Sequence, residues 1–107
     1  MKTKYEYVFP AIRGFRRITM QEQMAKINEE AYELQMEILS EKKSRRWILL
    51  EAMNVIHAVE TLFRIMEAKD DELEAAVCET MYDNEKRGYY KNPLDEQELP
   101  EWLGDDD

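Results

Sequence analysis

The sequence predicts an all-α chain: an antiparallel helical hairpin plus a third helix, assembling into an oligomeric helical bundle. Three observations carry that prediction. From Ile18 to Arg87 there is no glycine or proline, and the run is rich in Glu, Ala, Leu, Met and Lys, a composition that favours helices over strands. Two apolar stripes recur at alternating spacings of four and three, the period of one buried helix face. A single polar break separates the two stripes.

Helix 1 starts at about Met20, where Thr19 followed by Glu22 forms a capping box. Its stripe is Met20, Met24, Ile27, Ala31, Leu34 and Ile38, and the stretch Ser40-Glu41-Lys42-Lys43-Ser44 ends it. Helix 2 runs from about Arg45 to Glu67 with Ile48, Ala52, Val55, Val59, Leu62 and Met66. The short break makes the two helices antiparallel neighbours. Facing residues then have a constant index sum, and Ile38–Ile48, Leu34–Ala52, Ala31–Val55, Ile27–Val59, Met24–Leu62 and Met20–Met66 all satisfy it. Asp70 is a candidate N-cap for helix 3, which carries Leu73, Ala76, Val77, Thr80 and Met81 and ends near Gly88 as its C′ residue.

Helix 2 is too apolar for one partner helix. Leu49, Leu50, Met53, Ile56, Phe63 and Ile65 lie off its main stripe, and the surplus predicts a homo-oligomer, dimer or tetramer. At 107 residues the chain reads as one helical domain, 1–90, followed by an acidic tail, 91–107. The tail holds one lysine against seven carboxylates, so it carries −6 of the net −9. It reads as a solvated end, though Leu94, Leu99, Trp102 and Leu103 could dock on a neighbouring subunit. No basic surface suits duplex nucleic acid. The lack of an apolar leader or membrane-length apolar run makes a cytoplasmic protein the expectation. The lone Cys78 excludes an intrachain disulfide and reads as a small buried or half-buried side chain.

The chemistry concentrates in four side chains. Glu30 and Glu33 each precede a stripe residue on helix 1, and Glu51 and Asn54 do the same on helix 2. Each pair is spaced i, i+3 and so shares a helix face, about 4.5 Å apart along the axis. Across the hairpin, Glu33 falls opposite Glu51 and Glu30 opposite Asn54, which brings all four together at mid-hairpin. Three converging carboxylates repel unless a cation neutralises them, and hard divalent cations take such oxygen ligands. Glu37 continues the line as a candidate outer ligand, while Glu29 and Glu60 read as facing solvent or an interface. A di-iron site would need Glu-x-x-His pairs, but the only histidine, His57, follows Asn54 at that spacing. His57 reads as a satisfied, half-buried histidine. Nothing resembles a nucleophilic triad or a Walker-type phosphate loop.

These residues resemble those of a family. Lys26-Ile27-Asn28-Glu29-Glu30-Ala31-Tyr32-Glu33-Leu34 is similar to the K-x-x-E-E-x-x-E-L segment of the MazG-like nucleotide pyrophosphohydrolases. Glu51-Ala52-Met53-Asn54-Val55-Ile56 resembles their second segment, E-x-x-D followed by apolar residues. Asn84-Glu85-Lys86-Arg87-Gly88-Tyr89-Tyr90 resembles the basic segment that closes the family's site. One departure stands out: Asn54 occupies the family's Asp position. The resemblance implies a Mg²⁺-dependent enzyme, with Mn²⁺ as a possible substitute. It would cleave a nucleoside or deoxynucleoside triphosphate to the monophosphate and pyrophosphate. Glu30, Glu33, Glu51 and Asn54 would hold the metal, with Glu30 and Glu33 catalytic, and Lys26, Lys86 and Arg87 would meet the phosphates. Asn54 and the apolar, acidic tail support a competing expectation, a non-catalytic oligomeric module that binds nucleotide or a protein partner.

Overall fold

The computed structural model describes residues 4–90, so the acidic tail and its apolar residues lie outside the described part. Among the described residues, three α-helices and one short 3₁₀ turn account for the regular structure: the turn at Phe15–Arg17, α1 at Met20–Leu39, α2 at Arg45–Ile65 and α3 at Asp70–Lys86. The described residues hold no strand, as an all-α reading requires. No helix among them is long and apolar enough to cross a membrane. They divide into two compact units, Glu6–Ala68 and a second that begins at Lys69 and includes the residues before Glu6.

In the first unit, α1 begins where the capping box requires. Thr19 Oγ1 accepts from the Glu22 N–H at 3.0 Å, and Glu22 Oε1 accepts from the Thr19 N–H at 2.8 Å. The Thr19 N–H, and after it the Thr19 hydroxyl, stabilise the Glu22 carboxylate and hold its pKa below the ordinary value. The polar break becomes the turn into α2, where Ser44 Oγ caps the Trp47 N–H. The C-terminus of α2 closes as a Schellman motif, with Ala68 N–H donating to Phe63 O and Glu67 N–H to Arg64 O, both at 3.0 Å. Glu67 takes the left-handed position at φ 55°, which costs about 1 kcal/mol because its Cβ crowds the backbone.

α1 and α2 pack as the antiparallel hairpin, but the seam differs from the apolar register. Met20, Met24 and Ile38 are exposed in the single chain, and Ile27, Leu34, Ile48, Val55 and Leu62 are only half-buried. The buried positions of the hairpin are Gln23, Glu30, Ala58, Glu60 and Thr61. Gln23 Nε2 donates to Ala58 O at 2.8 Å, whereas the apolar register would set Gln23 opposite Phe63. Two helices cover one narrow seam, and here polar side chains take its most buried positions, leaving Met20, Met24, Ala31 and Ile38 of the α1 stripe at the surface while of the α2 stripe only Met66 is exposed.

The second unit contains α3. Glu72 Oε1 accepts from the Lys69 N–H at 2.9 Å, so the helix starts one residue earlier in its capping than an Asp70 cap would place it. Its end matches the glycine signal: Gly88 has φ 73°, Tyr89 N–H donates to Asn84 O and Gly88 N–H to Glu85 O, a second Schellman motif. Cys78 is exposed, contrary to the expectation for a lone cysteine, because it lies on an outward position of this helix.

Candidate metal centre and adjoining cleft

The i, i+3 spacing on α1 sets Glu30 and Glu33 on one face, and the antiparallel hairpin brings Glu51 of α2 against them. One carboxylate oxygen from each of the three lies within 4.8 Å of the others. Glu30 is buried, Glu51 half-buried and Glu33 exposed, so the cluster opens from the seam toward solvent through Glu33.

Electrostatics marks the cluster as short of positive charge. The Glu33 pKa is raised, first by the neighbouring Glu30 charge, then by partial desolvation, then by Glu51. Glu30 Oε2 and Glu51 Oε2 are buried without a hydrogen-bond partner. Buried carboxylate oxygens without partners are costly, and a hard cation with several oxygen ligands would satisfy them. Among the described residues, Lys26 pairs with the cluster: its Nζ lies 3.1 Å from Glu30 Oε1 and 3.9 Å from Glu29 Oε1. That pairing with Glu30 raises the Lys26 pKa.

Two clefts flank the cluster. One, about 400 Å³, is lined by Lys26, Glu30, Asn54 and His57, with Gln23 and Thr61. The other, about 660 Å³, has Glu33, Glu37 and Glu51 beside Tyr32 and Trp47. Asn54 is exposed and lines the first cleft with Glu30, and Glu37 sits one turn beyond Glu33 on the second. Glu29 is exposed. Lys86 and Arg87 belong to the second unit, where Lys86 Nζ lies 5.3 Å from the Tyr82 ring centre and Arg87 Cζ 5.9 Å from that of Tyr89.

The seam also corrects the expectation for Glu60, which faces neither solvent nor an exposed surface. It is 0% exposed, and its carboxylate accepts the Val8 N–H at 2.8 Å and the Phe9 N–H at 2.9 Å. One turn on, Arg64 Nη2 donates to Phe9 O at 2.8 Å, and its guanidinium lies 3.9 Å from the Tyr7 ring centre. His57 is half-buried as expected and stacks on Phe9 at 4.6 Å, but its Nε2 has no hydrogen-bond partner. His57, Glu60 and Arg64 thus form one polar stripe of α2 that grips the segment before Pro10. Two sequence signals pointed to it: the three-and-four spacing of that stripe, and the period-two alternation of Tyr5, Tyr7 and Phe9.

The raised Glu33 pKa makes a testable pH dependence. A group protonated more readily in the folded state contributes stability that is fully present below its unfolded pKa and is lost as pH rises through the folded one. In EDTA, the melting temperature of the native chain minus that of Glu33→Gln should therefore fall as pH rises from about 4.5 to 7, the range above the ordinary glutamate value. Taking the difference removes groups of opposite sign such as Glu22. A flat difference would show that Glu33 is not repelled by its neighbours.

Comparison with protein-family models, with curated proteins and with solved structures finds no match to this chain.

Proposed function

We propose that this chain is a Mg²⁺-dependent nucleoside triphosphate pyrophosphohydrolase that releases the monophosphate and pyrophosphate. The observation that carries the reading is the convergence of Glu30, Glu33 and Glu51 within 4.8 Å, with two of their oxygens buried and unpartnered. The three carboxylates and the Asn54 carbonyl would hold the metal, Mg²⁺ or Mn²⁺. When bound, it supplies the positive charge that lets a polyanion approach an acidic site and stabilises charge on the phosphate oxygens. Glu33, exposed at the mouth of the cluster, accepts the proton of the attacking water at its carboxylate. Glu30 is held by Lys26 and orients that water. The Lys26 ammonium lines the cleft and can turn from Glu30 to a phosphate. A coupled or mass-spectrometric assay over the eight common NTPs and dNTPs tests the reading. Equimolar pyrophosphate and monophosphate, absent in EDTA, are expected for at least one of them; no release from any would leave the non-catalytic binding module.

The proposal includes a homo-oligomer, dimer or tetramer. Leu49, Leu50, Met53 and Ile56 of α2 are exposed together with Met20, Met24 and Ile38 of α1, more apolar surface than a single chain leaves in water. Phe63 is half-buried, so Met53 is the better position to test. Met53→Lys places a charge in an apolar contact and should raise the dissociation constant at least about tenfold by light scattering. A native chain that scatters as a monomer at micromolar concentration would contradict the assembly.

A further inference from the structure

The residues before α1 do more than lead into it. Ile12 and Ile18 line the smaller cleft together with Gln23, Ala58 and Thr61, and Lys26, Glu30 and Asn54 also line it. The cleft therefore has an apolar wall built from this segment and a charged region belonging to the carboxylate cluster. At one end the segment is clamped at Val8 and Phe9 by Glu60 and Arg64, and at the other it is fixed by the Thr19 capping box. Between them it turns at Gly14, at φ 77°, into the 3₁₀ turn Phe15–Arg17.

We infer that residues 6–18 are a strap positioned by Glu60, and that Glu60 through this strap sets affinity for the organic part of the substrate rather than for its phosphates. The inference rests on the pyrophosphohydrolase reading for its substrate. Glu60 is not among the residues that line the cleft; it is a positioning residue. Its two oxygens take both N–H groups of a dipeptide whose side chains leave it room: Val8 points outward and Phe9 stacks on His57. A carboxylate is suited to this grip because both oxygens accept, whereas a carboxamide would set its NH₂ against one of the two N–H donors. If the grip fails, Ile12 and Ile18 leave the cleft in part of the population, and apparent affinity falls by the fraction that remains closed. The group that loses contacts is one with apolar faces and a polar edge, since the walls are Ile12, Ile18 and Ala58 and the buried His57 Nε2 lacks a partner. Phosphates bound at Lys26 and the metal cluster lose nothing.

Two variants separate the strap from general unfolding. Glu60→Gln weakens the grip from the helix side. Val8→Pro removes one donor from the strap side, at a residue whose side chain is 63% exposed. In both, trypsin should cut at Arg13, Arg16 or Arg17 at least about tenfold faster than in the native chain, with the helical circular dichroism retained. The nucleotide KM should rise about tenfold with kcat within about twofold, while the inhibition constant of Mg²⁺-tripolyphosphate, which has no organic part, stays within about twofold. Cleavage of both variants at the native rate overturns the strap. A parallel rise in the nucleotide KM and the tripolyphosphate constant overturns the role assigned to Glu60. If the native chain turns over no nucleotide, the function reading fails separately, and the proteolysis arm still decides whether Glu60 holds the strap.

Discussion

Glu33→Gln should lower kcat by about a hundredfold or more, and it should make the metal-free chain more stable at neutral pH. The two effects have one source. Glu33 sits in the field of Glu30 and Glu51, which raises its pKa and makes its ionised form unfavourable in the folded chain without metal. A neutral amide of nearly the same shape relieves that repulsion, so the melting temperature in EDTA should rise. On the proposed mechanism the same amide could not take a proton from water and would weaken binding of the metal, hence the size of the rate loss. Saturating Mg²⁺ should raise the native melting temperature, as any ion held only by the folded state does, and should move that of the variant less. A surface glutamate without a role would change neither quantity. A purely structural one would lose stability and activity together.

Asn54→Asp should act in the opposite direction. Asn54 offers one carbonyl oxygen to a cation but no charge, so the four-residue site carries three negative charges where Asp would bring a fourth. An added charge at ligand distance is worth on the order of a few kcal/mol, reduced by its exposure to solvent. The Mg²⁺ concentration for half-maximal activity should therefore fall about tenfold or more. The fold should not change, because Asn54 is exposed and its side chain sits in the cleft rather than in the seam. The metal-free Asp variant should melt lower than the native chain, since it adds a fourth carboxylate to three that already repel. No change in either metal dependence or stability would remove Asn54 from the site.

How much of this was legible in the sequence differs by element. The helices were, down to the Thr19–Glu22 box and the Gly88 terminus, because capping is local: it depends on residues three or four apart and little on the rest of the chain. The convergence of Glu30, Glu33 and Glu51 was legible too, since the i, i+3 spacing and a short turn leave few other places for them. The seam was not. The matched apolar stripes pointed to one register, but beside Ala58 the buried residues of the hairpin are the polar Gln23, Glu30, Glu60 and Thr61. A buried polar residue is decided by its partner, and the partners lie far away in sequence: Ala58 for Gln23, Val8 and Phe9 for Glu60. For the same reason Glu60, taken alone, read as one more surface glutamate.

Titration of the metal-free chain with Mn²⁺, followed by loss of the free-ion electron paramagnetic resonance signal, tests the central claim without reference to any substrate. Native protein, Glu33→Gln and Asn54→Asp would be titrated side by side. The account predicts saturable binding to each chain, tightest in Asn54→Asp and at least about tenfold weaker than native in Glu33→Gln. Three superimposable curves, or no saturable binding up to roughly millimolar Mn²⁺, the upper range of weak protein sites for divalent cations, would contradict it.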